Sequence, residues 1–337
     1  MRKSKLDGEI LISVIIPIYN ATSFIERCLW SIFKQSIQNF EIILIDDCSN
    51  DDTVSVVLDL IKRAPAHLHN RITFLQNCQN LGQSFSRNRG IKFSKGRYLF
   101  FVDSDDEISY NCLEVLSKKL DCDTEMVIGN YKMVGYQNIS SFTLKEGMYC
   151  SKEIIPLQLK WEIYTMPWNK LISKSFIVQH ELYFQEGLIH EDNLWSFCCA
   201  FCFKKIAVVQ EYTYTYYIRE GSTERSNTRE FHEENLFRVQ LYTLQYLFKN
   251  QTVNRKLRYR KDIYKFIERE IKNFIIVPYI NGDIEKATYR YSRLREVSGY
   301  SLWHFIFMRL GIKSFKRTLH YFMPLQKGFR YYIKKYK

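Results

Sequence analysis

GRYLFFVDSDDE, residues 96 to 107, carries a short β-type run, Tyr98 to Val102, straight into carboxylates at Asp103, Asp105 and Asp106, with Ser104 between the first two. A buried strand that ends in an acidic cluster concentrates negative charge where a chain ordinarily places a bland turn, and it calls for a cation. Asp103-Ser104-Asp105 is a D-x-D of hard oxygen ligands, suited to Mg²⁺ or Mn²⁺, ions that keep waters and also bind substrate phosphates. Taken alone, the same residues also read as an acidic turn or as an N-cap for the following helix.

The flanking chain alternates strand and helix patterns. Strands are expected at Val14 to Ile18, Phe40 to Ile45, Ile72 to Leu75, Tyr98 to Val102 and Met126 to Asn130. Helices are expected at about Ser23 to Gln35, Asp52 to Lys62, Ser84 to Phe93 and Cys112 to Leu120. Strands apolar on both faces that alternate with helices predict an α/β fold, a mainly parallel sheet covered by helices on both sides. Ligands bind at the carboxyl ends of strands in such folds. Pro17-Ile18-Tyr19-Asn20, Asp46-Asp47-Cys48-Ser49 and Asp103-Ser104-Asp105 all end strands of this sheet, so one edge gathers them.

Asp47 stands where a carboxylate can accept from a nucleotide's base or ribose, and Tyr19 can stack on a base or simply fill space. No GxGxxG follows the first strand, which argues against a nicotinamide cofactor. Asn80-Leu81-Gly82-Gln83-Ser84 puts a Gly turn at a helix start, with Arg87 and Arg89 a turn later. That arrangement suits an anionic phosphate, though a solvated basic helix face has the same pattern.

At 337 residues, 46% apolar and 25% charged, the chain has the composition of a folded protein with a large core. Its 24 Tyr and 24 Phe supply either amphipathic contact surfaces or an aromatic-rich core. The apolar run Ile10 to Tyr19 is short, is interrupted by Ser13 and Pro17 and follows Asp7 and Glu9, so it reads as a strand and not as a signal peptide. No stretch reaches the roughly 18 apolar residues that a spanning helix needs. The nine cysteines lack zinc or framework spacing, and the CCAFC group at 198 to 202 is expected to supply reduced core thiols.

VSVIIPIYN, FEIILIDDCSNDDT, NLGQSFSRNRGI and GRYLFFVDSDD occur in the order and approximate spacing of the family 2 glycosyltransferases. The chain resembles that family closely over about Ile12 to Glu107 and more loosely to about Ser222. The resemblance implies the GT-A fold, a Rossmann-like nucleotide-diphospho-sugar transferase sheet, and a nucleotide-sugar donor. It implies that Pro17, Tyr19 and Asn20 border the nucleoside, that Asp47 holds the base, and that Arg87 lies toward the nucleotide. Asp103, Ser104 and Asp105 then flank the ribose and a Mn²⁺ or Mg²⁺ ion, with Asp105 the direct ligand. The family's Glu-Asp pair matches Glu191-Asp192 in HEDNLW, which makes Asp192 the catalytic base. Arg219 and Ser222, in YYIREGS, match a segment that closes over the diphosphate. The QxxRW signature of processive synthases is absent, so one sugar per encounter is expected.

This places a glycosyltransferase domain at 1–226, its nucleotide-binding half at about 10–130 and its acceptor half at about 131–226. A helical C-terminal region, 227–337, follows. From Val297 onward there is no Asp or Glu among nine Lys and Arg, and the overall net charge is +13. Residues 303 to 322 have the pattern of a basic amphipathic helix, suited to an anionic membrane interface or to docking on the domain. No nucleic-acid module accompanies the charge. The expected enzyme is inverting, metal-dependent and cytoplasmic, peripheral at the inner membrane face. It takes a UDP-linked sugar to a hydroxyl of a growing, polyprenyl-diphosphate-linked surface glycan of capsule or O-antigen type. The rival readings are a nucleotidyltransferase, whose Gly- and Lys-rich phosphate loop is missing here, and a non-catalytic nucleotide-sugar-binding protein.

Overall fold

A computed structural model describes residues 10–135, 144–219, 228–249, 260–294 and 296. The chain divides into two compact units, Met1–Arg229 and Glu230–Lys337. The first holds one mixed sheet of nine strands, ordered Ile72–Gln76, Phe40–Asp46, Ile12–Ile18, Tyr98–Phe101, Lys170–Ser173, Met126–Val134, Lys205–Tyr217, Glu107–Ile108, with Gly147–Cys150 paired to Lys205–Tyr217.

β1 (Ile12–Ile18), β2 (Phe40–Asp46), β3 (Ile72–Gln76) and β4 (Tyr98–Phe101) form the parallel half. β1 and β2 are buried at every position, and two of their buried polar side chains satisfy each other, Ser13 Oγ donating to Glu41 Oε1 at 2.6 Å. Side chains alternate between two faces. Ile16, Leu44 and Phe100 join one core cluster, and Ile15, Ile43 and Phe101 the other. Each such side chain contributes about 2 kcal/mol. α1 (Ile25–Phe33) and α2 (Thr53–Arg63) cover the first face. α3 (Gln83–Phe93) covers the second, where Gly90 lets it come down onto Ile15 and Ile45. α1 buries Ile25, Cys28, Leu29, Ile32 and Phe33, a stripe at helical spacing.

Pro17 has no N–H to give, and none is needed, because the β1–β4 pairing ends at Ile15 and Phe101. Gly96, which opens the acidic stretch, has its own cause. Its N–H donates to Ser13 Oγ at 2.8 Å and to the buried Glu41 Oε1 at 3.2 Å, so close to β1 that a Cβ would meet the Ser13 backbone nitrogen.

The second half is mixed. β8 (Lys170–Ser173) runs antiparallel to both β4 and β6 (Met126–Val134), while the long β9 (Lys205–Tyr217) runs parallel to β6 through two irregularities near Asn130. β5 (Glu107–Ile108) and β7 (Gly147–Cys150) lie antiparallel to β9. α4 (Cys112–Ser117), α5 (Ser151–Leu159), α6 (Lys174–Gln179) and α7 (Glu191–Cys202) complete the layers. The CCAFC group lies on α7 with Cys199 buried and Cys198 and Cys202 half-buried, none of them in a disulfide.

The second unit is helical among its described residues, with helices at Arg229–Lys249 and Arg260–Ile271 and a π-helical turn at Lys272–Ile276. The amphipathic segment 303–322 and Ser222 lie outside the described residues. No helix among the described residues is long and apolar enough to cross a membrane.

Candidate active site

The carboxyl ends of β1, β2 and β4 are neighbours in the sheet, and the sheet order reverses between β1 and β4, where open α/β sheets leave a crevice. β1 exits through Tyr19, 44% exposed, and Asn20, whose φ of +47° turns the chain. Asn20 N–H donates to Ser49 Oγ at 3.0 Å, and Asn20 Oδ1 accepts from Asn50 N–H at 3.0 Å, binding the loops after β1 and β2 into one wall. Asp47 lies buried beside it. Its carboxylate accepts from Asn77 Nδ2 at 2.6 Å, Leu81 N–H at 3.0 Å and Gly82 N–H at 2.7 Å. A carboxylate offers roughly four acceptor positions, so about one remains for a ligand. The amides of the NLG turn, which the sequence offered to phosphate, are thus held by the chain's own Asp47.

Arginines answer the acidic stretch. Arg219 Nε sits 2.5 Å from Asp105 Oδ2, with its guanidinium 4.4 Å from the centre of the Phe24 ring. Arg27 donates to the Asp105 carbonyl at 2.6 Å, pairs with Glu107 at 3.0 Å and lies over the Tyr217 ring. Asp106 is fully buried. It accepts from Tyr214 Oη at 2.7 Å and Tyr217 N–H at 2.9 Å, and Asp103 N–H donates to the same Tyr214 oxygen at 3.2 Å. Tyr214 is stacked in turn on Trp168, 4.5 Å between centroids. Burial, with Asp105 and Asp103 alongside, pushes the Asp106 carboxyl well above the ordinary range. Burial also raises Asp103, against the pull of Arg87.

Glu191 and Asp192 form the first turn of α7, entered through His190 in the left-handed region at φ +65°. Asp192 is half-buried and its Oδ1 accepts from Asn193 N–H at 3.0 Å. Glu191 is buried against Arg87, whose Nη1 lies 2.5 Å from Glu191 Oε1 while Nη2 lies 3.1 Å from Asp103 Oδ1. One guanidinium therefore joins the D-x-D to the turn that carries Asp192.

Of the residues singled out in the sequence, Pro17, Tyr19, Asn20 and Asp47 line the β1–β2 edge. Arg87, Asp103, Asp105, Asp192 and Arg219 meet around β4 and the start of α7. Ser104 is half-buried between its two acids. Sequence reasoning did not single out Arg27, Asn77, Asn88 or Tyr214, and it counted Asp106 only as one acid of the cluster. The Tyr-rich EYTYTYY stretch held no signal that marked Tyr214: Tyr212 and Tyr214 are two residues apart, yet the pairing irregularity at Asn130 leaves Tyr212 55% exposed and buries Tyr214 to 1%.

The β1/β4 switch point, edged by a D-x-D and faced by a second acidic pair, is where an α/β transferase would hold its substrate. The description "Glycosyl transferase family 2" matches residues 13–201, more than half of the 337. The chain belongs to that family and is a glycosyltransferase. Glycosyltransferase GlyG of Streptococcus pneumoniae serotype 4 is 29% identical over 228 residues, 64% of this chain and 73% of that protein. The Escherichia coli protein UDP-Glc:alpha-D-GlcNAc-diphosphoundecaprenol beta-1,3-glucosyltransferase WfgD is 26% identical over 241 residues, 70% of this chain and 92% of that protein. Among solved structures, S. aureus TarS 1-349 in complex with UDP-GlcNAc has the same fold. Its TM-score is 0.59 at 21% identity, covering 86% of this chain and 89% of that one.

Members of this family are typically metal-dependent. No group of three or more His, Cys, Asp or Glu that could hold an ion occurs among the described residues. Asp103 and Asp105 nevertheless fit a hard divalent ion, because Asp103 Oδ2 and Asp105 Oδ1 carry no hydrogen bond among the described residues. Two carboxylate oxygens, with diphosphate oxygens and water, suit Mg²⁺ or Mn²⁺.

Proposed function

We propose that this chain is an inverting, metal-dependent, non-processive glycosyltransferase that moves one sugar from a UDP-linked donor to a hydroxyl of a growing, lipid-linked surface glycan. The observation that supports it best is the meeting of Asp103, at the end of β4, with Glu191-Asp192, at the start of α7, across one arginine. In this reading the donor-side acids and the candidate base face each other across that arginine. The names of WfgD and of the TarS complex supply the donor and acceptor classes by analogy.

In this reading the uridine lies along Tyr19 and Asn20, with Pro17 behind and the remaining acceptor position of Asp47 taking a base N–H. Asp103 and Asp105 hold the ion, with Ser104 between them. When bound, the ion neutralises charge gathering on the departing diphosphate. Arg219 leaves Asp105 for the diphosphate, joined by Ser222. Asp192 takes the proton from the acceptor hydroxyl as its oxygen attacks the anomeric carbon, on the face opposite the leaving group. Residues 1–226 carry this chemistry. The helical region 227–337 is an appendage whose basic end, residues 300–337, holds the enzyme to the anionic cytoplasmic face of the membrane. Loss of co-sedimentation with anionic vesicles on deleting 300–337 tests that attachment.

A thermal-shift panel of UDP-glucose, UDP-N-acetylglucosamine, GDP-mannose and UTP, each with and without Mn²⁺, tests the donor. A Mn²⁺-dependent rise with one UDP-sugar is expected. A response to UTP alone would contradict the assignment.

A further inference from the structure

Arg87 is 2% exposed, and both of its terminal nitrogens are engaged inside the protein: Nη1 with Glu191, 104 residues away, and Nη2 with Asp103, 16 residues away. Its guanidinium lies 5.2 Å from the centre of the Phe184 ring, and Nε is buried without an acceptor among the described residues. A guanidinium held this way cannot turn to a diphosphate without leaving Glu191 as a buried, unpaired charge. The next residue does a parallel job. Asn88 Nδ2 donates to the Phe184 carbonyl at 2.9 Å and to Glu186 at 3.2 Å, and Asn88 Oδ1 accepts from Phe184 N–H at 2.8 Å. Two consecutive residues of α3 thus clamp both ends of the segment from Phe184 to Glu191, which delivers the chain into α7.

We infer that Arg87 is a positioning residue for the transfer reaction: by bridging Asp103 and Glu191 it sets Asp192 relative to the donor-holding acids, and it does not bind the donor itself. The inference rests on Asp192 as the base. It distinguishes two roles that a lone arginine near a nucleotide site leaves open. A donor ligand lowers donor affinity when lost, whereas a bridge misplaces the base and lowers turnover. It also makes Lys a poor substitute, because a single ammonium lacks the planar fork that spans two carboxylates.

The test uses the full chain, with UDP-glucose and UDP-N-acetylglucosamine plus Mn²⁺ as donor probes. Poly(ribitol phosphate) and N-acetylglucosaminyl-diphosphoundecaprenol are the acceptor probes. Wild type, R87Q, R87K, E191Q and R87Q/E191Q are compared for donor Kd by calorimetry, kcat by UDP release, and thermal unfolding. The expected result for R87Q is a donor Kd within about threefold of wild type and a kcat about a hundredfold lower. R87K should recover less than about tenfold of that loss, and the double variant should fall within about threefold of R87Q, since both changes break one link. If R87Q does not fold, R87K and E191Q make the same comparison. A donor Kd raised with kcat held, or full turnover by R87K, would overturn the bridge and leave the glycosyltransferase reading standing. Wild type that binds and transfers neither sugar would overturn both.

Discussion

Arg219 Nε and Asp105 Oδ2 lie 2.5 Å apart across 114 residues of sequence. The cation that the acidic stretch demanded is, within the chain itself, an arginine. Its side chain is 36% exposed, so it can exchange partners far more readily than the buried Arg87.

That difference separates metal from donor. Arg219→Ala removes a competitor for Asp105, so Mn²⁺ alone should bind at least as tightly as to wild type. The UDP-sugar at saturating Mn²⁺ should bind about tenfold or more weakly, for want of a charge-assisted partner to the diphosphate. Paired calorimetric titrations read both numbers. Weaker Mn²⁺ binding with unchanged donor binding would remove Arg219 from the diphosphate.

Asp47 ties together Asn77, Leu81 and Gly82. Asp47→Ala takes the carboxylate from all three donors; Asn77 Nδ2 keeps Ser86 Oγ at 3.0 Å and Gly82 N–H keeps Asn80 Oδ1 at 3.2 Å, while Leu81 N–H loses its acceptor, so a cost of about 1–3 kcal/mol is expected. Urea unfolding should show that loss, and the thermal response to the UDP-sugar should vanish with it. Stability within about 0.5 kcal/mol of wild type would show these bonds to be replaced by water.

Gly96→Ala places a Cβ against the Ser13 backbone nitrogen and Ile12 carbonyl carbon, neither of which can rotate away. The β1–β4 edge must open, and a loss of about 2–3 kcal/mol is expected from urea midpoints.

The parallel half of this fold was legible because each of its strands is a mostly apolar run closed by polar turn residues. Phe40 to Ile45 was read nearly as it stands, and the helix expected from Ser84 begins one residue earlier, at Gln83. Beyond Gly135 that signal fails for physical reasons. β8 is only four residues long, and β9 carries two irregularities that break its alternation. The site was legible where a motif names its own chemistry, as at Asp103 and Asp105. It was not legible where a residue's role depends on a distant partner. Nothing near Arg87 in the chain announces Glu191, and Asp106 resembles its half-buried acidic neighbours until Tyr214 is brought over it.

Lys170 is 1% exposed, with Nζ 2.5 Å from the Tyr164 carbonyl and 4.4 Å from that ring's centre. Burial pulls its pKa down to about 7, partly opposed by Cys199 and Asp192. Between that value and the ordinary lysine value near 10.4, the unfolded chain binds more protons than the folded one, so stability rises with pH across this window. The cost of the buried ammonium is present in full below about 7 and is relieved above it. Melting temperatures from pH 6.5 to 9.5 should climb for wild type relative to Lys170→Met, which lacks the titrating group. Parallel curves would show the amine to be solvated.

The central claim is that Asp192 is the base of a sugar transfer from a UDP-linked donor, and Asp192→Asn tests it most directly. The amide keeps the shape of the side chain and can still accept from Asn193 N–H, but it cannot take up the acceptor's proton. Donor Kd and kcat should be measured on the same preparation, with Mn²⁺. The account predicts a donor Kd within about threefold of wild type and turnover lowered by about a thousandfold. Ordinary turnover by Asp192→Asn would contradict it.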